Sequence, residues 1–278
     1  MSAALYVIAT PIGNLEDLSP RALRLLDEVD LIACEDTRHT RKLLSYFSIQ
    51  TPTTSYHEHN ELSKAPELVK KLNQGNQIAL VSDAGTPLLS DPGYHLIKSC
   101  RNQNISVYPI PGPMAATAAL SVSGLPTDHF FFQGFLPRRV ALQKKQLVEI
   151  SQLKSTLVIY LSPHSALSTL QRIQEALGNR RAFLGREMTK LHENHYLGNL
   201  KDILEQIRKE KPRGEYTLVV TGQNSAAHSR KKPTKLDIPA YIVGLQNLHG
   251  LSKKTAIKRA SQELNKPKRE IYQQVIKS

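Results

Sequence analysis

Short apolar runs separated by amphipathic segments predict that the first half of the chain folds as alternating strands and helices. The runs are four or five residues long and bounded by polar or turn-forming residues, which is typical of buried strands. They lie at Leu5–Ala9, Leu31–Cys34, Gln77–Val81 and Ser106–Ile110. This alternation predicts an α/β fold, with a parallel or mixed sheet that carries helices on both faces.

The helices between these runs are marked by their start signals and their spacing. Ser19 and Pro20 stand immediately before Arg21–Glu28, a combination that favours a helix N-terminus. Apolar residues recur at helical spacing in Ala65–Asn73, and small residues dominate Ala115–Ser121.

The second half repeats the alternation after a turn-rich stretch near residues 124–139, which we expect to end the first domain. Thr156–Tyr160 then opens a second α/β domain, and a polar, basic linker separates it from short C-terminal helices. The predicted parts are an N-terminal α/β domain at residues 1–122, a C-terminal α/β domain at 123–222, the linker at 223–237 and a basic helical module at 238–278.

Loops rich in glycine and proline follow three of the predicted strands. They span residues 10–14, 82–87 and 111–113. Ligands of open α/β sheets bind beyond the carboxyl ends of the strands, so the three loops should share one binding edge. A single loop of this kind is an ordinary strand-to-helix turn, whereas three at one edge favour a ligand site.

Several common alternatives are excluded by what the sequence lacks. No G-x-G-x-x-G and no G-x-x-x-x-G-K is present, so the loops do not match a dinucleotide or a nucleoside triphosphate site. The segment from His192 to His195 lacks the H-E-x-x-H spacing, and we expect no metal site. Two widely spaced cysteines, and no apolar run long enough for a membrane span or a signal peptide, predict a cytoplasmic protein without a membrane partner.

Charge is concentrated at the C-terminal end. The formal net charge is +13, of which +9 falls on residues 228–278. Such an asymmetry is typical of a nucleic-acid-binding module, although a solvated helix face is the simpler alternative. The candidate RNA-binding residues are Lys253, Lys254, Lys258, Arg259, Lys268 and Arg269.

Longer strings carry a resemblance to a known family. They are ATPIGNL at residues 9–15, EDTRHT at 35–40, VSDAGTPLLSDPG at 81–93 and REMTKLHE at 186–193. The chain resembles the ribosomal RNA small subunit methyltransferase I family, of the tetrapyrrole methylase-like class. The resemblance runs in order along essentially the whole chain.

This resemblance implies two α/β domains of the tetrapyrrole methylase type, with S-adenosylmethionine as cofactor in the cleft between them. It also implies 2′-O-methylation of a cytidine ribose in the decoding region of 16S rRNA, within the small ribosomal subunit, by a homodimer. Cofactor-binding positions carried over from the family are Pro11, Asp83, Ala84, Gly85, Pro87, Ala115 and Leu161. For Leu161, simple core packing is an equally good interpretation.

Catalytic roles are assigned to residues expected near the same edge. Asp36, in the predicted loop after the second strand, is a candidate acceptor for the ribose hydroxyl proton, and Arg38 is a candidate phosphate ligand. A structural Asp36–Arg38 ion pair is the alternative. Lys190 is a second candidate phosphate ligand, with a merely solvated lysine as the alternative. Glu187 could neutralise the sulfonium of the cofactor or pair with Lys190.

The sequence departs from the family pattern at three positions. Leu161 and Ser165 stand where the family usually has a glutamate and an arginine, and Thr221 stands where it often has glutamate. These differences leave two alternative functions open. One is methylation of a small, tetrapyrrole-like molecule, and the other is a non-catalytic RNA-binding assembly factor.

Overall fold

A computed structural model describes residues 3–210, 213–223, 238–249, 251–263 and 267–276. The chain divides into two compact units, residues 1–226 and 227–278. The predicted linker lies outside the described residues except for Gln223. No helix in the described ranges is long and apolar enough to cross a membrane.

The first sheet is parallel throughout and contains the four strands predicted from the apolar runs, with boundaries correct to one residue. A fifth strand, β3, was not predicted because it is only three residues long. The strand order is β3-β2-β4-β1-β5. The strands are β1 Ala4–Ile8, β2 Leu31–Cys34, β3 Thr53–Ser55, β4 Gln77–Val81 and β5 Ser106–Ile110.

Four helices cover this sheet, two on each face, as the alternation predicted. Helices α1 and α2 pack Leu25, Leu26 and Leu44 against one face. Helices α3 and α4 pack Leu68 and Leu96 against the other. The helices are α1 Pro20–Glu28, α2 Thr37–Tyr46, α3 Glu61–Asn73 and α4 Tyr94–Asn102.

The second sheet is mixed, with strand order β6-β7-β10-β8-β9. Only β6 and β7 are parallel, and the other neighbouring pairs are antiparallel. The strands are β6 Phe130–Phe135, β7 Thr156–Leu161, β8 Arg181–Arg186, β9 Asn194–Asn199 and β10 Tyr216–Val220.

Helices also cover both faces of the second sheet. One face carries α6 Val140–Ser151, α7 Ala166–Leu177 and α8 Leu200–Lys209. The other face carries α5 Ala115–Val122, which follows the last strand of the first sheet. Because α5 packs on the second sheet, it ties the two sheets together.

Two expectations about loops were wrong. The stretch at 124–139 contains β6, whose four phenylalanines suit a pleated, half-buried edge better than a turn, so Thr156–Tyr160 does not open the second sheet. The loop expected after β2 consists only of Glu35 and Asp36, so Arg38 lies in the first turn of α2 and not in a loop. The Asp36 carboxylate accepts a hydrogen bond from the Arg38 backbone N–H and caps α2, which begins at Thr37.

The described residues of the second compact unit form three helices around a small apolar core. They are α9 Ile238–His249, α10 Lys253–Glu263 and α11 Lys268–Ile276. The predicted start and end of the last helix are confirmed. Ile242, Ala256, Ala260 and Ile271 are buried between the helices.

Candidate active site

The three loops predicted to share one edge are in direct contact. The Thr10 N–H donates to the Gly85 carbonyl oxygen at 2.9 Å, and the Gly85 N–H donates back to the Thr10 carbonyl at 3.0 Å. The Thr86 hydroxyl donates to the Pro113 carbonyl at 3.2 Å. Gly85 has a φ of 86°, a conformation that glycine adopts without the strain imposed by a Cβ.

A crevice opens where the chain leaves β1 and β4 in opposite directions. After β1 the chain turns to α1 on one face, and after β4 it turns to α4 on the other. Neighbouring parallel strands whose connections diverge in this way form the usual ligand-binding crevice of an α/β sheet. The crevice contains a cavity of about 350 Å³, within the size range of small-molecule sites.

Side chains and backbone from the second sheet form the opposite wall of the cavity. They come from the end of β7 and from the start of β10. The Tyr160 hydroxyl accepts a hydrogen bond from the Ala116 N–H at 3.2 Å, and burial raises the pKa of this hydroxyl to about 12. Leu161 is 2% exposed, and it both lines the cavity and belongs to the core. Core packing of Leu161 is therefore confirmed, and its contact with a cofactor stays a prediction.

The cavity is lined by acids and not by bases. Its acidic residues are Glu35, Asp83, Asp91 and Glu215, and in the described ranges no lysine, arginine or histidine lines it. Burial, reinforced by the charge of Glu35, raises the pKa of Asp91 to about 7. Burial and the charge of Asp83 also raise the pKa of Glu35. The site therefore suits a cationic ligand.

Asp91 lies on a strained segment. Leu88 and Ser90 have φ values of 72° and 76°, in the left-handed region that non-glycine residues avoid. A Cβ at Gly134 would collide with the Ser90 hydroxyl, so the bulge in β6 holds this segment by close contact. Strained backbone of this kind persists where packing over-determines it, often at functional sites.

The two candidate residues after β2 form a pair at the margin of the cavity. The Arg38 guanidinium donates to both carboxylate oxygens of Asp36, at 3.1 and 2.8 Å. These hydrogen bonds, with the one from the Arg38 backbone, hold the pKa of Asp36 well below its usual range. The Asp36 N–H donates to Asp83, a residue of the cavity wall, at 3.0 Å.

Lys190 joins the residue that follows β8 to the residue that precedes β10. Its ammonium group donates to Glu187 at 3.1 Å and to Glu215 at 2.9 Å. Partial burial lowers the pKa of Lys190, but the hydrogen bonds to Glu215 and Glu187 outweigh it, so the net shift is upward. Among the described side chains, no hydrogen bond or ion pair joins Lys190 to Asp36 or Arg38.

The cofactor-binding candidates divide into two groups. Five of them line the cavity: Asp83, Ala84, Gly85, Ala115 and Leu161. Pro11 and Pro87 are buried within the loops and do not line it. Sequence reasoning missed Glu35, Asp91, Tyr160 and Glu215 as cavity residues. The signal for Asp91 was its position in the same long string as Asp83, but nothing in the sequence reveals its burial.

The candidate RNA-binding residues lie in the second compact unit. All six occupy α10 or α11 and are exposed. The described residues contain no group of three or more histidine, cysteine, aspartate or glutamate side chains arranged to hold a metal ion.

Comparison with known proteins agrees with this architecture. Residues 4–204 match the family model for tetrapyrrole (corrin/porphyrin) methylases. A ribosomal RNA small subunit methyltransferase I from Synechocystis is 43% identical over 270 residues, which is 97% of this chain and 96% of that protein. The Halalkalibacterium halodurans protein of the same name is 44% identical over 96% of this chain and 93% of its own length.

The chain belongs to the ribosomal RNA small subunit methyltransferase I family. This membership confirms the resemblance found in the sequence, and it makes the chain a methyltransferase.

Solved structures support the fold. A uroporphyrin-III-C-methyltransferase from Thermus thermophilus superposes with a TM-score of 0.58 at 20% identity, over 79% of this chain and 94% of that one. A cobalt precorrin-4 methyltransferase gives a TM-score of 0.60 at 12% identity, over 79% and 95%. At these identities the similarity shows the fold alone, which is the predicted pair of α/β sheets.

Two of the three residues that depart from the family pattern, Ser165 and Thr221, do not line the cavity. Ser165 is the residue before α7 and is exposed. Thr221 is 8% exposed, and its hydroxyl donates to the Arg181 carbonyl at 3.2 Å. The Arg180 guanidinium donates to the carbonyls of Ser151 and Thr221, and burial lowers its pKa. Thr221 thus satisfies its own polar group at the end of β10, away from the cavity wall.

Proposed function

We propose that this protein transfers the methyl group of S-adenosylmethionine to the ribose 2′-oxygen of a cytidine in the decoding region of 16S rRNA. The observation that carries the proposal is a sequence identity of 43% and 44%, over nearly the whole chain, to two relatives named as ribosomal RNA small subunit methyltransferases. The cavity at the strand ends and the basic second unit fit the two substrates that such a reaction needs.

The chemistry of the cavity supports S-adenosylmethionine as the donor. This cofactor supplies a sulfonium-bound methyl group and carries an ammonium group. Glu35, Asp83, Asp91 and Glu215 favour these cations, and the same four acids would repel the pyrophosphate of a dinucleotide. Apolar walls for the adenine come from Ile12, Leu89, Met114, Phe135 and Met188.

Transfer to a ribose hydroxyl forms a carbon–oxygen bond, breaks the carbon–sulfur bond and releases the hydroxyl proton. A base whose pKa lies near the working pH is the most effective acceptor for that proton. Asp91 meets this condition and lines the cavity. Asp36 is less suited, because Arg38 stabilises its charged form and occupies both of its oxygens. We therefore assign proton acceptance to Asp91 and keep Asp36 as the helix cap that holds Arg38.

Arg38 and Lys190 remain the proposed phosphate ligands. The Arg38 side chain is 85% exposed, so its outer N–H groups can reach a nucleotide at the cavity margin. Lys190 already pairs with two carboxylates, and an incoming phosphate would compete with them. Pro11 and Pro87 would act by stiffening the cofactor loops and not by direct contact.

The remaining partners follow from the substrate. We propose a cytoplasmic homodimer that acts on the small ribosomal subunit, with the cations of α10 and α11 holding RNA. Affinity for RNA should then fall steeply with salt.

Labelled methyl transfer tests the proposal. Purified protein, radiolabelled S-adenosylmethionine and small subunits lacking the modification should yield labelled 16S rRNA, whereas a uroporphyrinogen-type acceptor should remain unlabelled. Label in the tetrapyrrole instead would support the small-molecule alternative. Donor binding without any transfer to intact subunits would contradict the proposal.

A further inference from the structure

The second compact unit carries a groove that its own core does not use. Residues of α10 and α11 line a cavity of about 790 Å³ there. The core of the unit consists of other residues, apart from Ile257, which faces both. The groove is lined by Lys253, Lys254, Thr255, Ile257, Lys258, Lys268, Arg269 and Tyr272. We call this surface the cationic groove.

Five of these eight residues are cations, and none is acidic. No ion pair between described side chains involves any of the five. Cations brought together without counterions repel one another, and a bound anion relieves that repulsion. The groove is therefore complementary to a polyanion.

Tyr272 places an aromatic ring among these cations. The preceding residue, Ile271, is fully buried in the core, whereas Tyr272 is 54% exposed. An isolated exposed tyrosine needs no explanation, since apolar atoms cover much of any protein surface. This ring differs because the other exposed residues of its groove are the five cations and Thr255. Cations that follow a backbone, together with an aromatic ring on which a base can stack, are the two components of single-strand recognition.

We propose that the cationic groove binds an unpaired segment of RNA, with a base stacked on Tyr272 and the flanking phosphates held by the five cations. This inference rests on the proposed function, which supplies RNA as the partner, and it adds the class of RNA and the residue that selects it. A duplex hides its base faces, so it can use the cations but not the ring. A single-stranded segment can use both.

Binding of the full-length protein to two RNAs separates the contribution of the Tyr272 ring to affinity from that of the five cations. One RNA is an unstructured, fluorescently labelled oligouridylate of about twelve nucleotides. The other is a hairpin with as many phosphates, closed by a tetraloop whose bases are stacked on one another, and both are titrated over a range of salt concentrations. Tyr272→Leu should weaken binding of the single strand about 5- to 150-fold. It should leave the salt slope and the hairpin affinity unchanged, because no cation is lost. Tyr272→Phe should retain the affinity of the parent protein.

Matched variants provide the controls. Tyr108→Leu removes a ring of similar exposure (45%) that lies on β5, outside the cationic groove, and should change neither affinity. Lys258→Gln and Lys268→Gln should each weaken both RNAs and lower the single-strand salt slope by about 0.7. Equal losses on single strand and hairpin for Tyr272→Leu, or no loss on either, would overturn the inference.

A second readout does not depend on the truncated side chain. The chain contains no tryptophan, so Tyr272→Trp introduces a unique fluorophore in the cationic groove. Stacking of a base should quench its emission when oligouridylate is added, and the hairpin should quench it much less. Emission unchanged by saturating single strand would contradict stacking, even if Tyr272→Leu proved unstable.

Two further arms separate this inference from its alternatives. Vesicles of phosphatidylserine and phosphatidylcholine test whether the cationic groove binds an anionic membrane surface. If Tyr272→Leu weakened vesicle binding but not RNA binding, the groove would be a lipid site and the inference would be wrong. Methyl transfer by the parent protein tests the proposed function separately. Normal transfer with no single-strand preference at Tyr272 would refute only the groove, whereas preference without transfer would refute only the reaction.

Discussion

Asp91 has the environment expected of a general base at neutral pH. Its pKa of about 7 means that the carboxylate fraction rises through the physiological range. We predict that turnover rises with pH through a midpoint at or below about 7, because a bound cationic donor favours the carboxylate. Asp91→Asn should lower kcat about 10²–10⁴-fold and abolish this limb. Asp27→Asn, at an exposed position on α1, is the control.

The raised pKa of Asp91 also predicts how the stability of the folded protein depends on pH. A folded-state pKa above the ordinary value of about 3.9 means that the unfolded chain ionises first, so stability falls as pH rises from about 4 to about 7. The melting temperature of Asp91→Asn, relative to the parent protein, should therefore increase across that window and level off above it. A difference that stays constant with pH would show that Asp91 titrates normally.

A variant of Asp36 tests whether this residue acts as a helix cap or as the general base. Asp36→Ser keeps a side-chain acceptor for the N-terminus of α2 but removes the carboxylate and the pair with Arg38. If Asp36 serves as a cap, kcat should fall by no more than about tenfold, well short of the loss of a general base. The Michaelis constant for RNA should rise as Arg38 loses its orientation. A loss of kcat as large as that of Asp91→Asn would return proton acceptance to Asp36.

At the scale of elements, the loop after β1 meets the segment that follows β8. A Cβ at Gly13 would lie 2.7 Å from the Thr189 hydroxyl and 3.0 Å from the Met188 carbonyl oxygen. Gly13→Ala should therefore force these segments apart, lowering stability by about 1–3 kcal/mol and weakening donor binding, as measured by thermal unfolding and calorimetry.

Gly198→Ala is the matched control for this contact. Gly198 lies in β9, and its added Cβ would meet only Asp202, at 3.6 Å. This variant should keep both stability and donor affinity. If the two alanine variants behaved alike, close packing of the loop after β1 would not contribute to the site.

The elements that could be predicted from sequence are those with a strong local signal. Apolar runs located β1, β2, β4 and β5, and the capping serine located α1. The elements that were missed lack such a signal. The three-residue β3 is too short to show a pattern, and β6 lies inside a turn-rich stretch that masks it.

The residues of the cavity also divide into those that could be predicted from the sequence and those that could not. Residues within long strings, such as Asp83 and Gly85, could be placed at the cavity because each follows a strand whose position was predictable. Glu215 and Tyr160 come from the second sheet, and their approach depends on how α5, which follows β5, packs on the second sheet. The raised pKa of Asp91 depends on burial, which no local pattern encodes.

At the scale of the whole molecule, the chain has two compact units, to which we assign different tasks. The division of the first unit into domains at 1–122 and 123–222, with a linker at 223–237 and a module at 238–278, remains our proposal. The first sheet lies within residues 1–122 and the second within 123–222, but α5, at the end of the first range, packs on the second sheet.

Removal of the second unit tests this assignment of tasks. A chain ending at Gln223 keeps every described residue of the cavity and loses the cations of α10 and α11. We predict unchanged affinity for S-adenosylmethionine by calorimetry and a much flatter salt dependence of RNA binding. A salt slope equal to that of the full chain would show that RNA is held elsewhere.

The central claim is methylation of a ribose oxygen in 16S rRNA, and mapping of the methylated nucleotide tests it most directly. Small subunits labelled by the purified protein are digested with alkali, which cleaves after every nucleotide except one whose 2′-oxygen is methylated. We predict label in an alkali-resistant dinucleotide that contains cytidine from the decoding region. Label released as a mononucleotide with a methylated base, or found outside 16S rRNA, would contradict the claim.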